Sequence, residues 1–198
     1  MNNIDFVHVY ITRFPFKVKE KDVYPKQREE EVNACKSQKV KKQKYYVWKL
    51  LESSIEKTLG VNFKEISFIK EGDKWGCDIC NFSMSHSNDV VVVAISNQKI
   101  GVDVEKIDLP RFEKIKQEKI LVKEEQQGLK PEDKALYMNH LWAVKEAIFK
   151  SENKKIFSPN KINTQEYDYV IKPFKINEED FVLSVATSLT KIVNFYQI

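Results

Sequence analysis

Residues 90–95 read Val-Val-Val-Val-Ala-Ile, an unbroken apolar, largely β-branched run bounded by Ser87-Asn88-Asp89 and Ser96-Asn97-Gln98. A run of that length between turn residues predicts a strand buried on both faces, which pushes polar chemistry to its edges. Before it stands Ser85-His86-Ser87. After it, across a short turn, Ile100, Val102 and Val104 alternate with Gly101, Asp103 and Glu105. Alternate strand residues project to opposite faces, so the two carboxylates share one side, about 7 Å apart, close enough to hold one ion. Paired carboxylates beside a glycine suit a hard cation. The competing reading is a solvated face of an antiparallel sheet.

The flanking sequence supplies further elements. Residues 4–11 are β-prone and predict a first strand, in which His8 reads as a satisfied sheet residue. Between Lys36 and Leu59, the spacing of Val40, Val47, Leu51, Ile55 and Leu59 predicts one long helix closed by Gly60. Its first half crowds Lys36, Lys39, Lys41, Lys42 and Lys44 ahead of Tyr45, Tyr46 and Trp48. Such a cluster repels itself and suits phosphate; a solvated lysine face and a nucleic-acid surface with stacking aromatics are the alternatives. Residues 61–70 predict another strand, and 71–76 a turn.

Beyond Glu105 the chain turns helical and charged as far as Leu129. Lys130-Pro131-Glu132-Asp133 then opens a new helix, with proline in its first turn and acids where the helix dipole favours them. On that helix Leu141 to Lys150 is apolar almost all round, the mark of a buried helix, yet Lys145, Glu146 and Lys150 are embedded in it. An i,i+4 ion pair explains Glu146 and Lys150 cheaply, but not their apolar surroundings. Buried ions cost several kcal/mol unless paired or ligated, so these charges point to a site.

The 198 residues allow one large domain or two small ones, and the net charge of +4 favours anionic partners only where it is focused. The chain contains no apolar run of membrane-spanning length, and its start lacks the layout of a secretory signal. A cytoplasmic protein is expected. Its three cysteines fit a reducing compartment; Cys77 and Cys80 form a lone Cys-x-x-Cys without the second pair a zinc site needs, and read as two reduced thiols near a strand.

Val90–Ile100 and Val182–Ile192 share six identities in eleven ungapped positions. This repeat predicts two related α+β halves, residues 1–100 and 101–198, meeting about a pseudo-twofold axis with a ligand cleft between them. Asp103, Glu105 and Glu146 would converge there; oxygen-only ligands select Mg²⁺ or Mn²⁺, and Mg²⁺ commonly completes its shell with substrate phosphate.

Taken together, Phe82-Ser-Met-Ser-His-Ser87, Ile100-Gly-Val-Asp-Val-Glu105 and Trp142-Ala-Val-Lys-Glu-Ala-Ile-Phe-Lys150 resemble, in order and spacing, the 4′-phosphopantetheinyl transferases, specifically the larger surfactin-type branch. The resemblance implies an α+β pseudo-dimer, usually monomeric, with the active site between its halves. It implies Mg-dependent transfer of the phosphopantetheine arm from coenzyme A to a serine of an acyl, peptidyl or aryl carrier protein, releasing adenosine 3′,5′-bisphosphate. By position, Asp103, Glu105 and Glu146 match the metal carboxylates, and Glu146 and Lys150 the catalytic pair. Lys44, Lys74, Ser85, His86, Lys145 and Lys150 match coenzyme A contacts. Neither nucleic acid nor membrane is an expected partner. A carrier helix is expected to dock near Phe112 to Val122.

Three departures from the family pattern stand out: Asp73-Lys74-Trp75 in place of Gly-Lys-Pro, Asn88 in place of glycine, and Glu152-Asn153-Lys154-Lys155-Ile156 in place of Gly-Lys-Gly-Leu. A catalytically degenerate relative that binds coenzyme A or a carrier without transfer is the alternative, and a basic nucleic-acid module the more distant one.

Overall fold

A computed structural model describes residues 5–14, 23–72, 74–152 and 154–198. Asp73 and Asn153, two of the departures noted above, lie outside the described residues. The first half contains strand β1 (Val7–Arg13), helix α1 (Lys26–Asn33), helix α2 (Gln38–Leu59), the hairpin β2 (Phe68–Glu71) and β3 (Lys74–Cys77), and strands β4 (Asn81–Ser87) and β5 (Val90–Ser96). There follow β6 (Gly101–Lys106), α3 (Leu109–Glu113), α4 (Lys123–Gln126), the long helix α5 (Lys134–Ser151), β7 (Tyr169–Ile176), β8 (Glu179–Ala186) and β9 (Val193–Gln197).

Two sheets and two helices stack in four layers. The first sheet has the order β4-β5-β1-β9 and the second β6-β8-β7. Every residue of β5 is buried. Period-2 alternation sends Val91, Val93 and Ile95 toward Trp48, Leu51 and Ile55 of α2, and Val90, Val92 and Ala94 toward Val102, Val104, Leu183 and Val185 of the second sheet. Helix α5 closes the stack, with Leu141, Val144, Ala147 and Ile148 packed on Phe112, Ile120 and Leu121. Its apolar girdle arises because α5 is sandwiched between the second sheet and those loops. The repeated segments are β5 and the latter part of β8 with the turn that follows, and β5 and β8 are interior strands of their sheets.

The structure departs from the sequence reading at several points. The last strand, β9, returns to the first half and pairs in parallel with β1, Val7 opposite Val193 and Val9 opposite Phe195, so the first sheet takes a strand from each end of the described chain. Residues 61–70 are not one strand: Asn62 caps a 3₁₀ turn at Phe63–Glu65, and only Phe68 onward is extended. His8 is packed edge-on against Phe6, Tyr10 and Tyr196, and its Nδ1 has no hydrogen-bond partner. Tyr45 and Trp48 belong to the core under α2, and of the three aromatics that follow the lysine cluster only Tyr46 is partly exposed. Phe112, Ile120 and Leu121 are at most 2% exposed beneath α5, so the apolar docking surface expected there is core. Among the described residues no helix is long and apolar enough to cross a membrane.

Candidate active site at the seam between the sheets

The edge strands β4 and β6 meet side chain to backbone. Ser83 Oγ accepts the Val102 N–H at 3.0 Å and Ser87 Oγ accepts the Lys106 N–H at 3.0 Å, while between them Ser85 Oγ donates to Asp103 Oδ1 at 2.6 Å. Two of the three alternate serines thus satisfy backbone N–H groups on the edge of β6 that no backbone strand covers, and the one between them holds the Asp103 carboxylate. His86, one residue out of phase, points to the other face of β4 and is exposed. Ser85 and His86, expected to act together, therefore diverge. Asn88 adopts φ 54°, the left-handed region that asparagine tolerates well, so the loss of glycine there costs little.

On its other side β6 faces α5, and the two repeats match. Two strand residues advance about 6.7 Å and four helix residues about 6 Å, so Gly101, Asp103 and Glu105 meet successive turns of a helix running the opposite way. Glu105 Oε1 accepts Trp142 Nε1–H at 3.1 Å. Asp103 Oδ1 accepts from Lys150 Nζ at 2.6 Å, and the same ammonium lies 3.7 Å from Glu146 Oε2. At the first contact a Cβ on Gly101 would lie 1.9 Å from the Ala147 carbonyl oxygen and 2.7 Å from the Ser151 nitrogen. Neither backbone atom can swing aside. Gly101→Ala is therefore expected to push α5 off β6, lowering stability by about 1–3 kcal/mol and displacing Glu146 from Asp103. Chemical denaturation checks the first effect; a variant as stable as wild type would show that the helix has room to move.

The electrostatics of this seam are those of crowded acids. Burial, then the Asp103 and Glu146 charges, raise Glu105 from its ordinary 4.5 to about 7. Burial and Asp103 likewise raise Glu146, against the opposing Lys150 ammonium. Asp103 Oδ2 is buried without a hydrogen-bond partner. Among the described residues no three His, Cys, Asp or Glu side chains are drawn together tightly enough to form a metal-ligand cluster, and the Lys150 ammonium is what contacts both Asp103 and Glu146. An orphaned buried carboxylate oxygen and two acids with raised pKa nonetheless fit a hard cation in chemical terms: oxygen donors, excess negative charge and an unused lone pair.

The raised Glu105 pKa fixes the sign of a pH effect. A carboxyl whose pKa rises on folding stabilises fully below its unfolded value of 4.5, and that contribution is lost as pH climbs through about 7. His8 and His140 are lowered by burial and act in the opposite sense, so the comparison must be made against Glu105→Gln. From pH 5 to pH 8 the metal-free wild type should lose on the order of 1–3 kcal/mol relative to that variant. Parallel stability profiles would contradict the crowding.

Lys145 requires a correction. It was expected to contact coenzyme A, but it is wholly buried and its three donors are spent inside the fold, on Glu125 Oε2 at 2.5 Å, the Ile120 carbonyl at 2.8 Å and the Pro159 carbonyl at 3.0 Å. Glu125 in turn accepts the Thr164 N–H and Oγ–H and the Val122 N–H. The pair ties together the segments on either side of α5. One residue on, a 100° turn of the helix points Glu146 at β6 instead.

The remaining predicted lysines line two separate cavities. Lys74 belongs to a cleft of about 920 Å³ between the β2–β3 hairpin and the end of α5, lined also by Trp75, Cys77, Phe149, Lys154 and Lys155. Its ammonium stands 5.4 Å from the Phe149 ring centre. Lys44 lines a cavity of about 490 Å³ with Arg28, Glu31 and Lys70. Arg28 was missed in the sequence because α1, Lys-Gln-Arg-Glu-Glu-Glu-Val-Asn, has almost no apolar period. The helix is held by the Arg28 guanidinium, which donates to the Lys44 carbonyl at 2.8 Å and lies 4.8 Å from the Trp48 ring centre. Ser83 and Ser87 were also missed as seam residues, although their alternation with Ser85 was visible.

Two comparisons bear on this arrangement. Residues 99–186, which contain β6, α5 and both acidic motifs, match the model of the 4′-phosphopantetheinyl transferase superfamily. An 82-residue segment is 35% identical to the 4′-phosphopantetheinyl transferase Sfp of Bacillus subtilis (strain 168), covering 40% of this chain and 36% of that protein. The match thus spans about a third of the relative's length. The acidic strand and its facing helix both lie inside the matched region, so it is this part of the chain that is similar to the 4′-phosphopantetheinyl transferase superfamily.

Proposed function

We propose that this protein transfers the 4′-phosphopantetheine arm of coenzyme A to a serine hydroxyl of an acyl, peptidyl or aryl carrier protein, releasing adenosine 3′,5′-bisphosphate, as a monomeric cytoplasmic enzyme of the surfactin-type branch. The observation that carries the reading is the approach of Asp103, Glu105, Glu146 and Lys150 at one seam, inside the segment that matches the family. In this reading the two sheets with their helices are the halves of a pseudo-dimer and the seam is the active site. The placement of the repeat on interior strands of both sheets supports it.

Asp103, Glu105 and Glu146 would hold Mg²⁺, or Mn²⁺ in its place. When bound, such an ion neutralises charge developing on a pyrophosphate and holds the phosphoryl group for in-line displacement. Ser85 fixes the Asp103 carboxylate by its 2.6 Å hydrogen bond, and the Trp142 indole fixes Glu105, so neither acid must reorganise when the substrate arrives. Glu146 is about a quarter exposed and has a raised pKa, which suits a group that takes the proton from the attacking carrier serine. Lys150, also about a quarter exposed, can turn from Asp103 to the phosphates. Lys74 and Lys44, in their cavities, and His86 on the outer face of β4 would meet the remaining anionic groups of coenzyme A.

Incubation with coenzyme A, Mg²⁺ and a panel of apo-carriers, read by intact mass, tests the reading. At least one carrier should gain the phosphopantetheine mass. Binding of coenzyme A and carrier with every carrier unmodified would instead establish the degenerate relative.

A further inference from the structure

Cys77 closes β3, Cys80 leads into β4, and Asp78 and Ile79 form the bend between them. The fold brings the two sulfurs to 3.6 Å, where a disulfide needs about 2.05 Å. Neither thiol is sealed in: both are half-buried, and Cys77 lines the 920 Å³ cleft beside Lys74 and Trp75. The only other cysteine, Cys35, lies apart, its thiol 3.3 Å from the Glu31 carbonyl on the second cavity.

We propose that Cys77 and Cys80 form a thiol–disulfide exchange site, with Cys77 as attacking thiol and Cys80 as resolving thiol, acting on small-molecule disulfides that enter through the cleft. The proposal uses none of the seam residues and is independent of the transferase reading.

The pair divides the two roles by environment. In the neutral dithiol the Cys77 sulfur lies 3.3 Å from the Cys80 carbonyl oxygen, and the Cys80 S–H is the donor able to turn toward a Cys77 thiolate. That hydrogen bond, against the pull of burial, holds Cys77 at about 6, so it is largely thiolate at neutral pH. Cys80 is pushed up by the same neighbour and by burial, and stays protonated. A low-pKa, accessible thiolate beside a protonated partner is the arrangement that attacks a disulfide and then resolves the adduct.

The chemistry balances. The Cys77 thiolate attacks one sulfur of R–S–S–R, forming Cys77–S–S–R and expelling R–S⁻. Cys80 then gives up its proton to solvent or to the expelled thiolate and attacks the Cys77 sulfur, expelling the second R–S⁻. Two cysteine thiols are oxidised and one small disulfide is reduced to two thiols. The new bond joins the end of β3 to the start of β4, tying the hairpin wall of the cleft to the strand that carries Ser83, Ser85 and Ser87.

Intact-mass and thiol-labelling measurements on the whole protein treated with oxidised glutathione test this. Wild type should lose two hydrogens, about 2 Da, leaving Cys35 as the one alkylatable thiol. Cys80→Ser should stop at a single glutathione adduct on Cys77, and Cys77→Ser should leave Cys80 unmodified while retaining the wild-type circular dichroism spectrum. Three alkylatable thiols in treated wild type, or adduct formation on Cys77→Ser as fast as on Cys80→Ser, would overturn the proposal.

Discussion

Lys145→Met should remove about 3–5 kcal/mol of stability, because it leaves the Glu125 carboxylate buried with no counter-charge. The two side chains are 0% and 1% exposed, so water cannot replace the lost ammonium. Many domains are stable by only 5–15 kcal/mol, and the loss would be plain in a guanidinium titration. The paired change Lys145→Met with Glu125→Gln separates an uncompensated charge from lost packing. Glutamine can still accept from Thr164 while carrying no charge, so the double variant should recover part of the deficit. A single variant within about 1 kcal/mol of wild type would return Lys145 to the list of candidate ligand contacts.

Glu146→Gln should act in the opposite way, on turnover rather than on the fold. Glu146 is partly exposed on the seam, its closest charged partner in α5 is Lys150 at 3.7 Å, and glutamine preserves its shape. Loss of proton abstraction alone predicts a fall of about 10²- to 10⁴-fold in carrier modification, and loss of a metal ligand deepens it. Stability should be unchanged or slightly higher, since a carboxyl with a raised pKa is a destabilising charge at neutral pH. Wild-type turnover in this variant would remove Glu146 from the chemistry.

These two neighbours also mark where sequence reading reached its limit. The apolar wheel around Leu141 to Phe149 showed that charges were embedded in a buried helix. It could not show which charge served the fold, because the partners of Lys145, namely Glu125 and the Ile120 and Pro159 carbonyls, come from short turns and the four-residue helix α4, too brief to show a period. Strand β5 and helix α2 were legible because their apolar spacing is local and regular. The return of β9 to β1 was not, since a parallel pairing between the two ends of the chain leaves no short-range signal. Alternation correctly put Asp103 and Glu105 on one face of β6, but only the packing of α5 shows that this face is covered rather than solvated. The serine ladder of β4 is similar: the period was visible and the partners, about twenty residues on, were not.

The account rests on Asp103, Glu105 and Glu146 acting as one divalent-cation site, and Mn²⁺ binding followed by electron paramagnetic resonance tests it most directly. In the presence of coenzyme A the wild-type protein should take up one Mn²⁺ per chain, and Asp103→Asn should take up none at the same concentration. Equal uptake by both proteins, or no uptake by either, would contradict it.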